Sequence, residues 1–243
     1  RSGTKKRPLV LRFGGTTLRQ LEVTGNHVII EGIHVDRARE KGAVKILGTN
    51  IVMTNSLFER ANSNLIKING ANVTIKDSVL RDTIPAPGKD HHCLIVQQGA
   101  SGLKITGNQI YDCAGDGIQI IDNGQSPASN PNNVVIKKNE FFLNRDMYVG
   151  RNLACAENAL DFKAGRNVRV VANTMRGFRP TDTRCAGTGN RGGYAVVVHR
   201  FANNFVIRRN RISDSTGCIH VIQGKGHSTS DISISNNTCN TVK

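Results

Sequence analysis

Residues 71–81 read ANVTIKDSVLR: Val73 and Ile75 alternate with Thr74 and Lys76, Asp77 and Ser78 make a polar step, and Val79 and Leu80 follow. Period-two alternation over so few residues describes a half-buried strand, and the polar step describes a turn. The phrase occurs earlier as GNHVIIEGIHV and TNIVMTNSLFE. It returns later as SGLKITGNQIY, NNVVIKKNEFF, RNVRVVANTMR, NNFVIRRNRIS and SDISISNNTCN. Its first apolar position falls at Val28, Ile51, Val73, Leu103, Val134, Val168, Phe205 and Ile232, at intervals of 22 to 37 residues. Self-similarity at such a period marks a solenoid.

Between successive copies lies a second short alternating run: AVKIL, NLIKI, CLIVQ, DGIQIID, NALDFK, YAVVVHR and GCIHVIQ. Helical periodicity over 11 or more residues is nowhere persuasive. Units of two or three short strands, joined by Asn-rich turns, predict an all-β right-handed parallel β-helix of about eight coils. The fold is expected to take in residues 1–243 as one domain. Leucine-rich repeats share the period, but their LxxLxLxxN pattern is missing.

Coils of such a solenoid stack about 4.8 Å apart, so equivalent positions become neighbours. Aligning the second strands on Ile66, Leu94, Ile118, Leu160, Val196 and Ile219 puts Ile68, Val96, Ile120, Phe162, Val198 and Val221 at the next inward position. All twelve are apolar, and a slip of one residue would turn them outward. One outward column then holds Lys67, Ile95, Gln119, Asp161, Val197 and His220, and the next holds Asn69, Gln97, Ile121, Lys163, His199 and Ile222. A third, ahead of the strand, holds Asn64, His92, Asp116, Asn158, Tyr194 and Gly217. Cys113 and Cys155 match on adjacent coils and are the expected disulfide pair.

The chain has 243 residues, a formal net charge of +15, no Trp and only 5% aromatic residues. Such a charge favours a polyanion. Few aromatics interleave with the basic residues to stack bases, which weakens nucleic acid; an anionic membrane surface and an acidic polysaccharide stay open, and charge alone does not choose between them. No apolar run is long enough to span a membrane, and the six cysteines show no zinc-type CxxC spacing. A secreted monomer, extracellular or periplasmic, is the expectation, with any signal peptide removed ahead of Arg1.

The stretch ENALDFKAG, residues 157–165, places Asp161 and Lys163 outward beside His199 of the next coil, with Arg200 following. Asp116, Glu157 and Asn158 lie to the side, and Arg179 and Arg191 come from the longest insertion. Singly, each is an ordinary surface or turn residue; together, under long loops, they suit chemistry on a uronate. Removing the C5 proton of a uronate needs its carboxylate neutralised, by Arg or a bound cation, and a base such as neutral Lys or His. Lys163, His199 and Arg200 are the catalytic candidates. Arg179, Arg191, Tyr194, His220, Gln119 and Asn158 are candidates for holding substrate.

The repeat resembles the pectate-lyase-like superfamily, and ENALDFKAG followed by NVRVVANTM is similar to the lysine segment of polysaccharide lyase family nine. That resemblance implies a β-eliminating lyase in which Lys163 is the base. It also implies calcium held by carboxylates, for which Asp116, Asp161 and Glu157 are candidates. The family's paired aspartates are absent: GDGI offers Asp116 alone, flanked by Asp112 and Asp122. Three other readings share the fold: an inverting polygalacturonase-type hydrolase, a uronan epimerase and a sugar-binding protein without activity. The hydrolase needs carboxylates about 6.5–9.5 Å apart, and GKGH at 224–227 matches its motif poorly.

Overall fold

The computed structural model describes residues 1–38, 42–84, 89–121, 127–144, 147–149, 152–154, 157–180, 193–222 and 229–241. Among them the chain winds through parallel strands, with one short 3-10 turn, Pro127–Ser129, and no α-helix. Each full coil has three sides. Strands such as Ala71–Lys76, Ser101–Thr106 and Asn132–Lys137 form the first side, and Val79–Arg81, Gln109–Tyr111 and Glu140–Phe142 the second. The third side holds Leu94–Val96 and Ile118–Ile120 and runs on into the longer strands. Every pairing on the three sides is parallel, and one antiparallel pair, Met147–Val149 with Asn152–Ala154, lies in an insertion. This is a parallel β-helix.

The register follows the repeat. Val28 pairs with Ile51, Val73 with Ile51, Leu103 with Val134, Val134 with Val168, Val168 with Phe205, and Phe205 with Ile232. On the third side Ile66, Leu94, Ile118, Leu160, Val196 and Ile219 form one inward row. These rows make the core: Ile66, Leu94, Ile118, Leu160, Val196, Phe162 and Phe205 are all fully buried. The rings of Phe162 and Phe205 meet edge to face at 5.3 Å beneath the third side.

Two differences from the sequence reading have clear causes. An additional N-terminal coil begins with Leu9–Arg12, which pairs with Val28–Glu31; its turn, FGGTT, lacks the Asn signature. Later, the second strand of one unit and the first of the next fuse into single strands, Leu160–Val171 and Tyr194–Arg208. Their pairing continues around the corner, with one register shift between Phe162 and Ala164. The partner strand has two residues there, His199 and Arg200, against Lys163 alone, which is a β-bulge.

Asn is abundant because two turn positions demand it. At the start of the first side, Asn50, Asn72, Asn133, Asn167 and Asn204 have φ between 53° and 57°, a left-handed conformation that Asn tolerates better than most residues. At the corner between first and second sides a ladder runs through Asn108, Asn139, Asn173, Asn210 and Asn237, the first four of them buried. Each Oδ1 accepts the backbone N–H of the preceding coil's ladder residue, as in Asn108 N to Asn139 Oδ1 at 3.0 Å. Each Nδ2 donates to a carbonyl, as in Asn139 Nδ2 to Ile105 O at 2.9 Å. Buried polar backbone at a corner would otherwise be costly.

Cys93 bonds to Cys113, and Cys218 to Cys239. The first bond corrects the expected Cys113–Cys155 pairing. Cys93 ends one turn between the second and third sides, and Cys113 begins the same turn of the next coil, so stacking brings together two positions that the repeat alignment does not equate. Cys155 lies outside the described residues.

Candidate active site

Asp161 and Lys163 sit on strand Leu160–Val171 and His199 on Tyr194–Arg208, the next strand in the sheet. Inward Leu160 and Phe162 are fully buried, which turns the intervening Asp161 and Lys163 outward. Lys163 Nζ lies 2.6 Å from Asp161 Oδ2 and 3.2 Å from His199 Nε2, and His199 Nε2 lies 3.0 Å from Asp161 Oδ1. The three side chains close a triangle. Its lysine is 39% exposed and its aspartate 4%, so a ligand can reach Nζ while the carboxylate anchors it from below. Burial raises the pKa of Asp161, but the bond from His199 and the charge of Lys163 prevail and hold it below the ordinary carboxylate range.

Beside the triangle runs a second polar column. Asn64 Oδ1 accepts the N–H of His92 at 2.8 Å, His92 Nδ1 accepts that of Asp116 at 2.9 Å, and Asp116 Oδ1 accepts that of Asn158 at 3.1 Å. Since Nδ1 accepts, the proton of a neutral His92 is on Nε2. Burial lowers the pKa of His92 to about 4, so this ring is neutral near pH 7. Asp116 also accepts Asn158 Nδ2 at 3.0 Å and Gln119 Nε2 at 3.1 Å. Burial pushes both Asp116 and Glu157 well above the ordinary carboxyl range. For Asp116 the Asp161 charge adds to that effect, and for Glu157 the charges of Asp116, Asp90 and Asp161 do.

His92, Asp116 and Glu157 each bring a potential ligand atom within 4.8 Å of the others. Carboxylates crowded together this way call for a proton or a cation to offset them. Asn158 Oδ1 is buried without a hydrogen-bond partner. His92 has its Nδ1 taken by the Asp116 N–H and a proton on Nε2, so the oxygens of Asp116, Glu157 and Asn158 are the donors here, and oxygen donors suit a hard cation such as calcium. Asp161 is engaged differently, by Lys163 and His199.

The remaining candidates are spread around this centre. Gln119 and Asn158 touch Asp116. The Tyr194 ring packs on the exposed His220 ring with centroids 4.8 Å apart. Arg179 donates its Nε to Asp214, away from the triangle. Arg200 follows His199 on the strand; its side chain, and Arg191 entirely, lie outside the described residues. His92 was not among the sequence-derived site residues. Its signal was available, because the aligned third column already set it between Asn64 and Asp116.

The family described as right handed beta helix region matches residues 20–243. Pectate lyase Pel9A superposes on 100% of this chain and 64% of its own length, with a TM-score of 0.61 at 17% identity. An alginate lyase from Paenibacillus sp. str. FPU-7 covers 99% of this chain and 84% of itself, with a TM-score of 0.65 at 14% identity. PfbA, a surface adhesin of Streptococcus pneumoniae, covers 90% and 61%, with a TM-score of 0.54 at 14% identity. The chain thus spans less than two thirds of the pectate lyase and of the adhesin. At such identities the likeness carries the coil alone, and that coil serves lyases and an adhesin alike. No curated protein is similar to it in sequence.

Proposed function

This chain belongs to the right-handed β-helix family, and within it we propose a secreted polysaccharide lyase that breaks a uronic-acid polymer by β-elimination. The observation that supports this most is the closed triangle of Lys163, Asp161 and His199 on an outward sheet face. A charged lysine holds no lone pair, so Lys163 must shed a proton before acting as a base. In the tautomer with its proton on Nδ1, His199 accepts the lysine's proton at Nε2, 3.2 Å from Nζ, and the imidazolium so formed donates Nε2–H to Asp161 Oδ1, 3.0 Å away. Asp161, bonded to both, keeps them in register through the exchange.

Neutral Lys163 then takes the C5 proton of the uronate, and the electron pair left on C5 spreads into the adjacent carboxylate. The C4–O bond breaks, a C4–C5 double bond forms, and the departing oxygen takes up a proton. Asp116, Glu157 and the Asn158 carbonyl oxygen would hold a calcium ion, which when bound supplies positive charge against the substrate carboxylate. Arg200, next to His199, is a second source of that charge. Tyr194, on the strand of His199, and His220, on the next strand, offer ring surface for a sugar. The disulfides Cys93–Cys113 and Cys218–Cys239 suit a protein that works outside the cytosol.

The test is incubation with pectate, glucuronan and alginate, with and without calcium, following the ultraviolet absorbance of the new double bond. The expected result is absorbance with at least one polymer and none from Lys163→Ala. Silence of the folded protein across the panel overturns the reading. New reducing ends without absorbance would mean hydrolysis.

A further inference from the structure

A second face of the coil carries charge that the Lys163 site does not use. The five first-side strand segments at 71–76, 101–106, 132–137, 166–171 and 203–208 read ANVTIK, SGLKIT, NNVVIK, RNVRVV and NNFVIR. They hold no carboxylate. Register places an outward cation on every one: Lys76, Lys104, Lys137, Arg169 and Arg208. The cations alternate between two outward rows, Lys104 and Arg169 in one, Lys76, Lys137 and Arg208 in the other. Among the described residues only Lys76 has a carboxylate within ion-pair reach, Asp77 at 3.6 Å.

Lys104 and Arg169 face into a groove of about 480 Å³. Asn72, Asn133, Asn167 and Asn204 line it from one outward row, and Val135 and Val206 from the row that holds Lys104 and Arg169. The only aromatic residue on these five segments is Phe205, which points inward and is fully buried.

We propose that this face binds a linear 1,4-linked polyuronate lying along the axis of the coil, as a holding site separate from Lys163. This rests on the reading of the substrate as a uronic-acid polymer. A polyuronate has one carboxylate per sugar, and the face has one cation per coil, repeating about every 4.8 Å. When successive rings of such a ribbon are flipped, their carboxylates alternate sides, which matches the zigzag of the cations. Asparagine amides suit ring hydroxyls, and the valines suit the apolar faces of the sugars. Nucleic acid fits less well, since no outward aromatic side chain offers a base a stacking surface. Strands Leu160–Val171 and Tyr194–Arg208 pass through both faces, so polymer held here stays close to Lys163 and raises its effective concentration there.

Affinity electrophoresis of the full chain through gels containing glucuronan, mannuronan or DNA tests the proposal, with Lys104→Glu/Arg169→Glu against wild type. Both side chains are exposed, and an unchanged Tm checks the fold. We expect retardation by a polyuronate to weaken at least tenfold in the double variant, with an intermediate loss in Lys104→Gln/Arg169→Gln. The KM for long polymer should rise while kcat and the KM for trimers stay the same. Equal retardation of wild type and double variant overturns the proposal, as does tighter retention by DNA than by either polyuronate at the same salt. If wild type cleaves nothing but the double variant still loses its hold on polyuronate, the holding face stands and the lyase reading fails. If cleavage occurs and polymer binding is unchanged, only the holding face is lost.

Discussion

Two polar columns run along this coil, and both use side-chain oxygens or nitrogens to catch backbone N–H groups of a neighbouring coil. The ladder from Asn108 to Asn237 is one residue type repeated five times, and its amides are taken up on both sides. The column from Asn64 through His92 and Asp116 to Asn158 catches N–H groups from the following coil, with a different residue at nearly every step. The uniform column satisfies its groups, whereas the varied one leaves Asn158 Oδ1 without a partner and crowds Asp116 against other carboxylates. Both columns hold the coil together; the second also leaves groups that a ligand or cation would satisfy.

The largest effect expected falls just outside both columns. Lys163→Ala should lower turnover by about 10²–10⁴-fold, the usual worth of a positioned proton-transfer group. Its denaturation midpoint should stay near that of wild type, because the side chain is partly exposed. A large loss of stability would make Lys163 a structural residue.

Next comes the contrast between the columns. Asn139→Ala removes the acceptor for Asn108 N and the donor to Ile105 O, and should cost about 3 kcal/mol in chemical denaturation. Asp116→Asn keeps the oxygen that accepts Asn158 N and should cost less than about 1 kcal/mol, while activity falls. Similar destabilisation in both variants would erase the distinction.

Calcium sharpens the same point. At a hundredfold excess over its Kd it should stabilise the wild-type protein by about 2.7 kcal/mol, measured as a rise in Tm that a chelator reverses. Asp116→Asn and Glu157→Gln should not respond. An unchanged wild-type Tm would leave protons, not a cation, to offset these carboxylates.

A modest effect, on stability alone, belongs to an ion network on the second side, where Glu59 meets His34, Arg60 and Arg81. Burial raises the pKa of Glu59, but the hydrogen bonds from Arg81 and His34 outweigh it and hold the pKa below 4.5 in the fold. A folded value below the unfolded one stabilises the protein above the unfolded carboxyl range, and the gain fades as pH falls through the depressed value. Both arginines are partly exposed, so Glu59→Gln should cost about 1 kcal/mol at pH 7. The gap between the two stability curves should close in acid.

Much of this was legible in the chain. Repeat positions such as Val134, Val168 and Phe205 gave the coil and its register, since a period-two strand with one buried face admits a single alignment. That alignment set Lys163 near His199 and Asp161 beside Lys163. The N-terminal coil was harder to see, because its turn does not carry the Asn that marks the others.

Sequence by itself determined the solenoid, the inward rows and the outward placement of ENALDFKAG, because these follow from local periodicity repeated along the chain. Only the tertiary structure decided that Cys113 bonds to Cys93, that Glu157 comes within reach of His92 and Asp116, and that Asp161 is buried despite its outward register. Each depends on how turns of unequal length pack across neighbouring coils, which no local pattern encodes.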